Sequence, residues 1–363
     1  MRDSRAKAPG KLYVAGEYAV TEPGNPAIVV AVDRFITVSL TPSEQSSGTI
    51  VSPALFVEPV EWQRSDDGPL LMTKQSKADI LMATIAVTEA FINEHDTTLP
   101  YYTLTIESEL TDDSGTKYGL GSSGAVTVAA IKAILKSVSL TVTDEIIYKL
   151  AALSHLSLGS RGSFGDLAAA AFTGWLLYSS FDKQWVLSHS KTLSLRELVF
   201  KPWPLLKIEA IEPPKAIDLL IGWTASPAST ENLVLSMKDS SKDNHHTSVY
   251  SYEQFLLESK QCVEQLIEGI RSNHTSIIYE QILLNRQLLL NMSQMRSLVL
   301  ETPKLQRLIE TAERFGAAAK TSGAGGGDCG IAIIHQNADK QKIYEEWTSN
   351  DIKPLLFKIY HGQ

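Results

Sequence analysis

Gly119-Leu-Gly-Ser-Ser-Gly124 opens directly onto Ala125-Val-Thr-Val-Ala-Ala-Ile-Lys-Ala-Ile-Leu-Lys-Ser-Val138. The second stretch predicts a helix over 124–138 that is apolar on nearly every face, with only Lys132 and Lys136 marking a wet stripe. Such a helix is buried, so its N-terminus is expected to point into the interior or a cleft. The glycines ahead of it permit positive φ and close backbone approach, and unpaired N–H groups at a helix start attract phosphate. The Ser122 and Ser123 hydroxyls suit phosphate oxygens or a Mg²⁺ ion. A tight small-residue turn would satisfy the same letters. So would a dinucleotide fingerprint, since the loop spells G-x-G-x-x-G and Asp144 lies twenty residues past Gly124. That fingerprint belongs at the end of an apolar strand, whereas Thr111-Asp-Asp-Ser-Gly-Thr-Lys117 precedes this loop. No Walker A pattern and no protein-kinase signature set occurs.

Upstream, Lys11 to Ala15, Ala27 to Asp33 and Phe35 to Leu40 read as short strands separated by turn chemistry such as Glu22-Pro-Gly-Asn-Pro26. Lys77 to Asn93 has helical spacing, and Tyr101 to Glu109 alternates like a half-buried strand. Downstream, Asp144 to about Ser157 is expected to be helical with Thr143 as N-cap. Prolines 202, 204, 213 and 214 break any long periodicity, which puts a domain boundary late in 182–215 and divides the chain into 1–210 and 211–363. Ile217 to Trp223 restarts as a buried strand. The polar run Ser236 to His246 reads as a mobile loop that orders over ligands. Helices follow near 248–271, 274–300 and 303–315, the last stopping at Gly316. Gly330 to His335 reads as a strand, 339–349 as a helix and Ile352 to Tyr360 as a closing strand. Mixed elements in both halves indicate an α+β protein of two domains.

The chain has 363 residues, and 33 Lys+Arg against 41 Asp+Glu give a formal charge of −8. That balance argues against a general nucleic-acid binder, whose phosphate contacts need a basic face. Two cysteines, Cys262 and Cys329, do not make a disulfide framework or a Cys-rich zinc site. The longest apolar run, Ala27 to Val32, is far below the ~18 residues needed to span a bilayer. The start, Met1-Arg-Asp-Ser-Arg-Ala-Lys-Ala-Pro-Gly10, lacks the apolar core of a signal peptide. A soluble, cytoplasmic protein is expected, with no nucleic-acid or membrane partner.

Three more segments bear on function. Lys320-Thr-Ser-Gly-Ala-Gly-Gly-Gly-Asp328-Cys-Gly330 places five glycines in eight residues between a helix and a strand. Their ordering cost is large unless the backbone makes special turns or touches a ligand. Pro9-Gly-Lys11-Leu-Tyr-Val-Ala-Gly16-Glu17-Tyr18 carries a lysine at a strand start, where a solvated charge is the ordinary reading. Gly162-Ser163-Phe-Gly-Asp166 sets a carboxylate ahead of a small-residue run, where a helix N-cap is equally natural.

Taken in order, Lys11, the 119–124 loop, Asp166 and the 320–330 loop resemble the GHMP kinase superfamily, from Lys7 nearly to the C-terminus. Motif one is similar to Pro9-Gly-Lys11…Gly16-Glu17-Tyr18-Ala-Val20 with Gly24-Asn-Pro-Ala27, motif two to Gly119–Gly124, and motif three to Gly323-Ala-Gly-Gly-Gly327. Within the superfamily, Gly325-Gly-Gly-Asp328-Cys-Gly330, Gly222-Trp-Thr224, Pro227-Ala-Ser-Thr230 and Gly162–Asp166 look most like the phosphomevalonate kinases, with the mevalonate kinases second. The resemblance implies an N-terminal domain like the second domain of ribosomal protein S5 and a ferredoxin-like C-terminal domain. It also implies Mg²⁺, ATP and phosphomevalonate as cofactor and substrates.

By the same resemblance, Gly119, Leu120, Gly121, Ser122, Ser123 and Gly124 wrap the ATP phosphates, and Ser123 contacts the metal. Asp166 matches the catalytic aspartate and Lys11 the lysine that pairs with it, with Lys117 as a further cation between the two polyanions. Lys11, Tyr18, Lys117, Ser163, Ser229, Ser322, Gly323, Ala324 and Gly325 are the expected substrate contacts. Related kinases often place a metal-binding glutamate eleven residues before the catalytic aspartate, and here His155 stands there. Arg161 and Lys320 are further cations close in sequence to these segments, for which a solvated side chain is the alternative reading.

Overall fold

The computed structural model describes residues 1–53, 56–65, 68–71, 78–94, 99–226 and 250–362. The early strands are longer than their hydrophobic runs. β1 (Ser4–Ala15) pairs antiparallel with β2 (Pro26–Pro42), which continues through Asp33-Arg34 instead of ending there. The register jumps from Pro9 opposite Phe35 to Gly10 opposite Val32, so the two polar residues bulge out while pairing resumes on either side. With β3 (Gly48–Val51), β4 (Val60–Ser65), β5 (Gly68–Leu71), β6 (Tyr102–Ser108), β7 (Trp175–Ser179) and β8 (Lys207–Ile211) they form an eight-stranded sheet. Its order is β5-β4-β3-β6-β2-β7-β8, and β1 also lies on β2.

Three helices pack on this sheet, α1 (Asp79–Asn93), α2 (Ser122–Ser137) and α4 (Gly165–Phe172), and α3 (Asp144–Ser157) packs against all three. α2 is buried as its composition requires. Its two lysines instead reach carbonyls at neighbouring elements, Lys132 Nζ to Ala171 O and Lys136 Nζ to Arg5 O, each at 3.2 Å. Thr143 caps α3 as expected, accepting from Ile146 N. Two short helices, α5 (Lys183–His189) and α6 (Leu195–Phe200), occupy the proline-punctuated stretch. They are too short to show periodicity and are started by the Asp182 cap and the Ser194/Glu197 capping box.

The second sheet is antiparallel and four-stranded: β9 (Ile217–Trp223), β10 (Ala318–Thr321), β11 (Cys329–His335) and β12 (Lys353–Leu355), in the order β10-β11-β9-β12. α7 (Tyr252–Arg271), α8 (Thr275–Met295) and α9 (Pro303–Arg314) connect β9 to β10, and α10 (Lys340–Ser349) connects β11 to β12. The first and third strands in chain order therefore occupy the centre, which is the ferredoxin-like arrangement. Alternation along β9 and β11 divides their side chains between two cores. Ile221, Trp223, Ile331 and Ile333 join the main core, while Leu220, Ala332 and Ile334 pack with Leu308, Ile309, Ile343 and Trp347. α9 ends as expected at Gly316, with Ala317 N bonded to Ala312 O at 3.0 Å.

The expected closing strand over 352–360 is corrected to three residues of β12. Beyond it the chain leaves the small sheet and lies along β2 of the large one, through Asp33 N–Lys358 O, Tyr360 N–Ala31 O and Gly174 N–Tyr360 O bonds of 2.7–2.9 Å. The segment 236–246 and Ser229 lie outside the described residues. No described helix is long and apolar enough to cross a membrane.

Candidate active site

Four chain segments converge at the N-terminus of α2. Gly121 is its N-cap in the left-handed region (φ 76), and no side chain caps the helix. The first-turn N–H groups therefore lack intrahelical partners. Leu120 is buried, and its carbonyl accepts from Lys11 N at 2.9 Å, so the loop is tied to β1 by backbone. A methyl group on Gly121 would lie 3.2 Å from Asp166 Cβ and from Lys11 Cε and Cγ. One on Gly124 would lie 2.6 Å from Asp166 Oδ2. The missing side chains let Asp166 sit against the positive end of α2, with Lys11 on the other flank of Gly121. Asp166 lies in the first turn of α4 and is not its N-cap, a position held by Phe164 at φ 61. Lys11 and Asp166 are brought together but form no ion pair among the described residues. The Lys11 ammonium instead points at Gly119 O, 3.5 Å away.

Ser163 is held from two sides. Its Oγ is 2.7 Å from Tyr13 Oη, and its carbonyl accepts from Tyr178 Oη at 2.5 Å. Tyr178 spends its proton there, so it accepts from Tyr148 Oη at 2.8 Å. Burial, with the Asp166 charge adding to it, pushes all three tyrosine hydroxyls well above their ordinary range, so they stay protonated. Composition and spacing show none of this chain, because its members lie on β1, α3 and β7.

Between β10 and β11, Gly323, Gly325, Gly326, Gly327 and Asp328 all take positive φ, which accounts for the glycine run. Ser322 Oγ donates to Tyr13 O at 2.8 Å and accepts from Tyr13 N at 3.0 Å, so this expected substrate hydroxyl is engaged by the β1 backbone. Tyr18 Oη donates to Ala324 O. Gly325 and Gly326 pack on Leu300, whose carbonyl accepts from Gly326 N at 2.7 Å. Gly323 approaches Lys11, with an added methyl 3.9 Å from Nζ. Cys329 Sγ reaches Tyr118 O at 3.2 Å, and the Asp328 side chain fills the space a Gly119 side chain would need. The third glycine segment thus meets the other two.

Lys117 is exposed in the hairpin closed by the Thr111–Lys117 bridge and touches none of these groups among the described residues. Lys320 corrects its expectation. Its side chain is 0% exposed and pairs with Glu17 at 2.5 Å, a contact the reading of solvated charge missed. The available signal was a lysine directly after Ala317-Ala-Ala319 and a glutamate inside the apolar run Leu12–Val20.

The GHMP kinases N terminal domain family matches residues 82–174, and the GHMP kinases C terminal family matches 266–353. A phosphomevalonate kinase of Streptomyces sp. (strain CL190) is 36% identical over 360 residues, 96% of this chain and 95% of that protein. The chain belongs to the phosphomevalonate kinase family of GHMP kinases. A crystal structure from Listeria innocua, at 35% identity and TM-score 0.88, covers 99% of this phosphomevalonate kinase homologue and 100% of its own chain. The Streptococcus pneumoniae phosphomevalonate kinase in complex with phosphomevalonate and AMPPNP is 29% identical, with TM-score 0.85, covering 98% and 99% of the two chains.

Proposed function

We propose that this GHMP kinase transfers the γ-phosphoryl group of ATP to the phosphate of 5-phosphomevalonate, giving ADP and 5-diphosphomevalonate in the mevalonate route to isoprenoids. The observation that carries the reading is the likeness, along nearly the whole chain, to the Streptomyces phosphomevalonate kinase. Residues 1–210 hold the nucleotide, and residues 211–363 bring the third glycine segment to it.

The Gly119–Gly124 turn cradles the triphosphate with backbone N–H groups and the α2 N-terminus, worth about half a positive charge, in place of a Walker lysine. Ser122 bonds a phosphate oxygen. The exposed Ser123 hydroxyl offers one hard oxygen that would suit Mg²⁺. His155 is not a second ligand. Thr127 Oγ1 donates to Ser123 O at 2.9 Å, so His155 Nε2, 3.2 Å from the same hydroxyl, is the donor and supports the serine turn. A Mg²⁺ ion held by Ser123 would supply positive charge to offset that of the transferring phosphoryl group.

The acceptor is a phosphate monoester with a second pKa of about 6, already mostly ionised at pH 7. It needs no strong base. Two like unit charges ~4 Å apart repel by about 4 kcal/mol at an effective dielectric of 20, so cations between donor and acceptor matter more. Lys11, flanked by Asp166 and Gly323, is the central one. Ser163, Tyr18 and Ser229 complete the acceptor contacts, and Ser322, Gly323, Ala324 and Gly325 shape that wall.

The deciding measurement is kcat/KM for phosphomevalonate and mevalonate, side by side with Mg·ATP. Phosphomevalonate is expected to be the far better substrate, and comparable use of mevalonate would make the enzyme a mevalonate kinase. Lys117→Ala is expected to raise KM for phosphomevalonate with little effect on ATP, and Lys117→Arg to restore it only in part, because the guanidinium presents a planar fork. Unchanged acceptor kinetics would confine Lys117 to the solvated hairpin where it is seen.

A further inference from the structure

We propose that Glu17 and Lys320 form a positioning pair for the phosphate acceptor, holding the third glycine segment in register with the strand that carries Lys11. The inference rests on the phosphoryl-transfer reading above and assigns to it two residues that do not touch the reacting groups. Lys320 Nζ contacts Glu17 Oε1 at 2.5 Å and Thr321 O at 2.6 Å, and Gly323 N donates to the same Glu17 oxygen at 3.3 Å. Both side chains are buried, at 0% and 2% exposure.

Stability alone does not account for such a pair. Removing two ions from water costs several kcal/mol each, and apolar residues of similar volume usually serve a core as well or better. Here the replacement of solvent is also incomplete, since Glu17 Oε2 and the neighbouring Thr321 Oγ1 have no hydrogen-bond partner among the described residues. What the pair does supply is directional geometry between segments 303 residues apart.

Glu17 lies two residues past the end of β1, which bears Lys11 and Tyr13, and Lys320 lies two residues before Ser322. Two neutral staples join the same segments, Ser322 Oγ to the Tyr13 backbone and Tyr18 Oη to Ala324 O. Of these three links, the charged pair is the one that grips a loop amide, Gly323 N–H, and a methyl group added to that glycine would lie 3.9 Å from Lys11 Nζ. A shift of the pair therefore changes the spacing between Lys11 and the loop. Lys320 also neutralises a carboxylate that would otherwise repel a dianionic acceptor.

Glu17→Gln keeps the side chain's size and an acceptor for both donors. The double variant Glu17→Leu with Lys320→Met removes both charges together. Thermal unfolding by circular dichroism and initial rates against each substrate are measured beside the wild type. Both variants are expected to fold, with KM for phosphomevalonate raised at least ~10-fold, kcat lowered, and KM for ATP within about twofold. A folded variant with wild-type constants would overturn the inference, as would parallel rises in both KM values. Should the double variant not fold, Glu17→Gln decides by the same readings. A wild type without phosphomevalonate-dependent ADP release removes the activity reading itself, whereas an active wild type beside unaffected variants removes only the positioning role.

Discussion

Asp166→Ala and Lys11→Ala are each expected to lower kcat at least ~10²-fold while KM for ATP changes little. The two side chains flank Gly121, one against the first turn of α2 and the other over Gly119 O, which is where the proposed reaction places the transferring group. An interaction realised mainly at the transition state appears in kcat and leaves nucleotide affinity nearly untouched. Because they work as a unit, the double variant should be little worse than the poorer single one. Steady-state kinetics with saturating phosphomevalonate tests this, and near-normal turnover in either single variant would show that the wrong residue carries the chemistry.

The second large effect is on binding. Gly121→Val is expected to weaken ATP at least ~10²-fold, read by titration with a non-hydrolysable analogue. Valine is β-branched and poorly tolerated at φ 76, and its first carbon would sit 3.2 Å from both Lys11 and Asp166. The turn must open to admit it, which misaligns the amides that the proposed function assigns to the triphosphate. The backbone penalty is about 1–2 kcal/mol, and the melting temperature should drop only a few degrees because the rest of α2 stays buried. An unchanged dissociation constant would take the 119–124 turn out of the nucleotide site.

Local patterns carried far in this chain. The near-continuous apolar surface of 124–138 requires a buried helix in any fold, Thr143 caps the helix it precedes, and Gly316 stops the one it follows. These features depend on backbone hydrogen bonding and side-chain burial within a few residues, which is the range over which periods of 2 and 3.6 are visible. The glycine segments were legible for the same reason, since each marks backbone conformations closed to other residues. Their joint order on the chain, more than any single one, carries the resemblance to the GHMP kinases.

What lies beyond that range was set by tertiary structure. A lysine at position 320 reads as solvated until β10 is seen packed between helices and facing Glu17, and then it must be paired, because an isolated buried ammonium is too costly. Ser163 reads as a free hydroxyl until Tyr13 and Tyr178 close on it from β1 and β7. Residues 356–361 follow a strand, yet hydrogen-bond to β2 of the other sheet, because the unpaired backbone groups there lie within their reach. Apart from Tyr178 with Ser163, 15 positions apart, these contacts join residues at least 150 positions apart. No period in the sequence encodes which strands become neighbours; burial of both sheets against shared cores makes that choice.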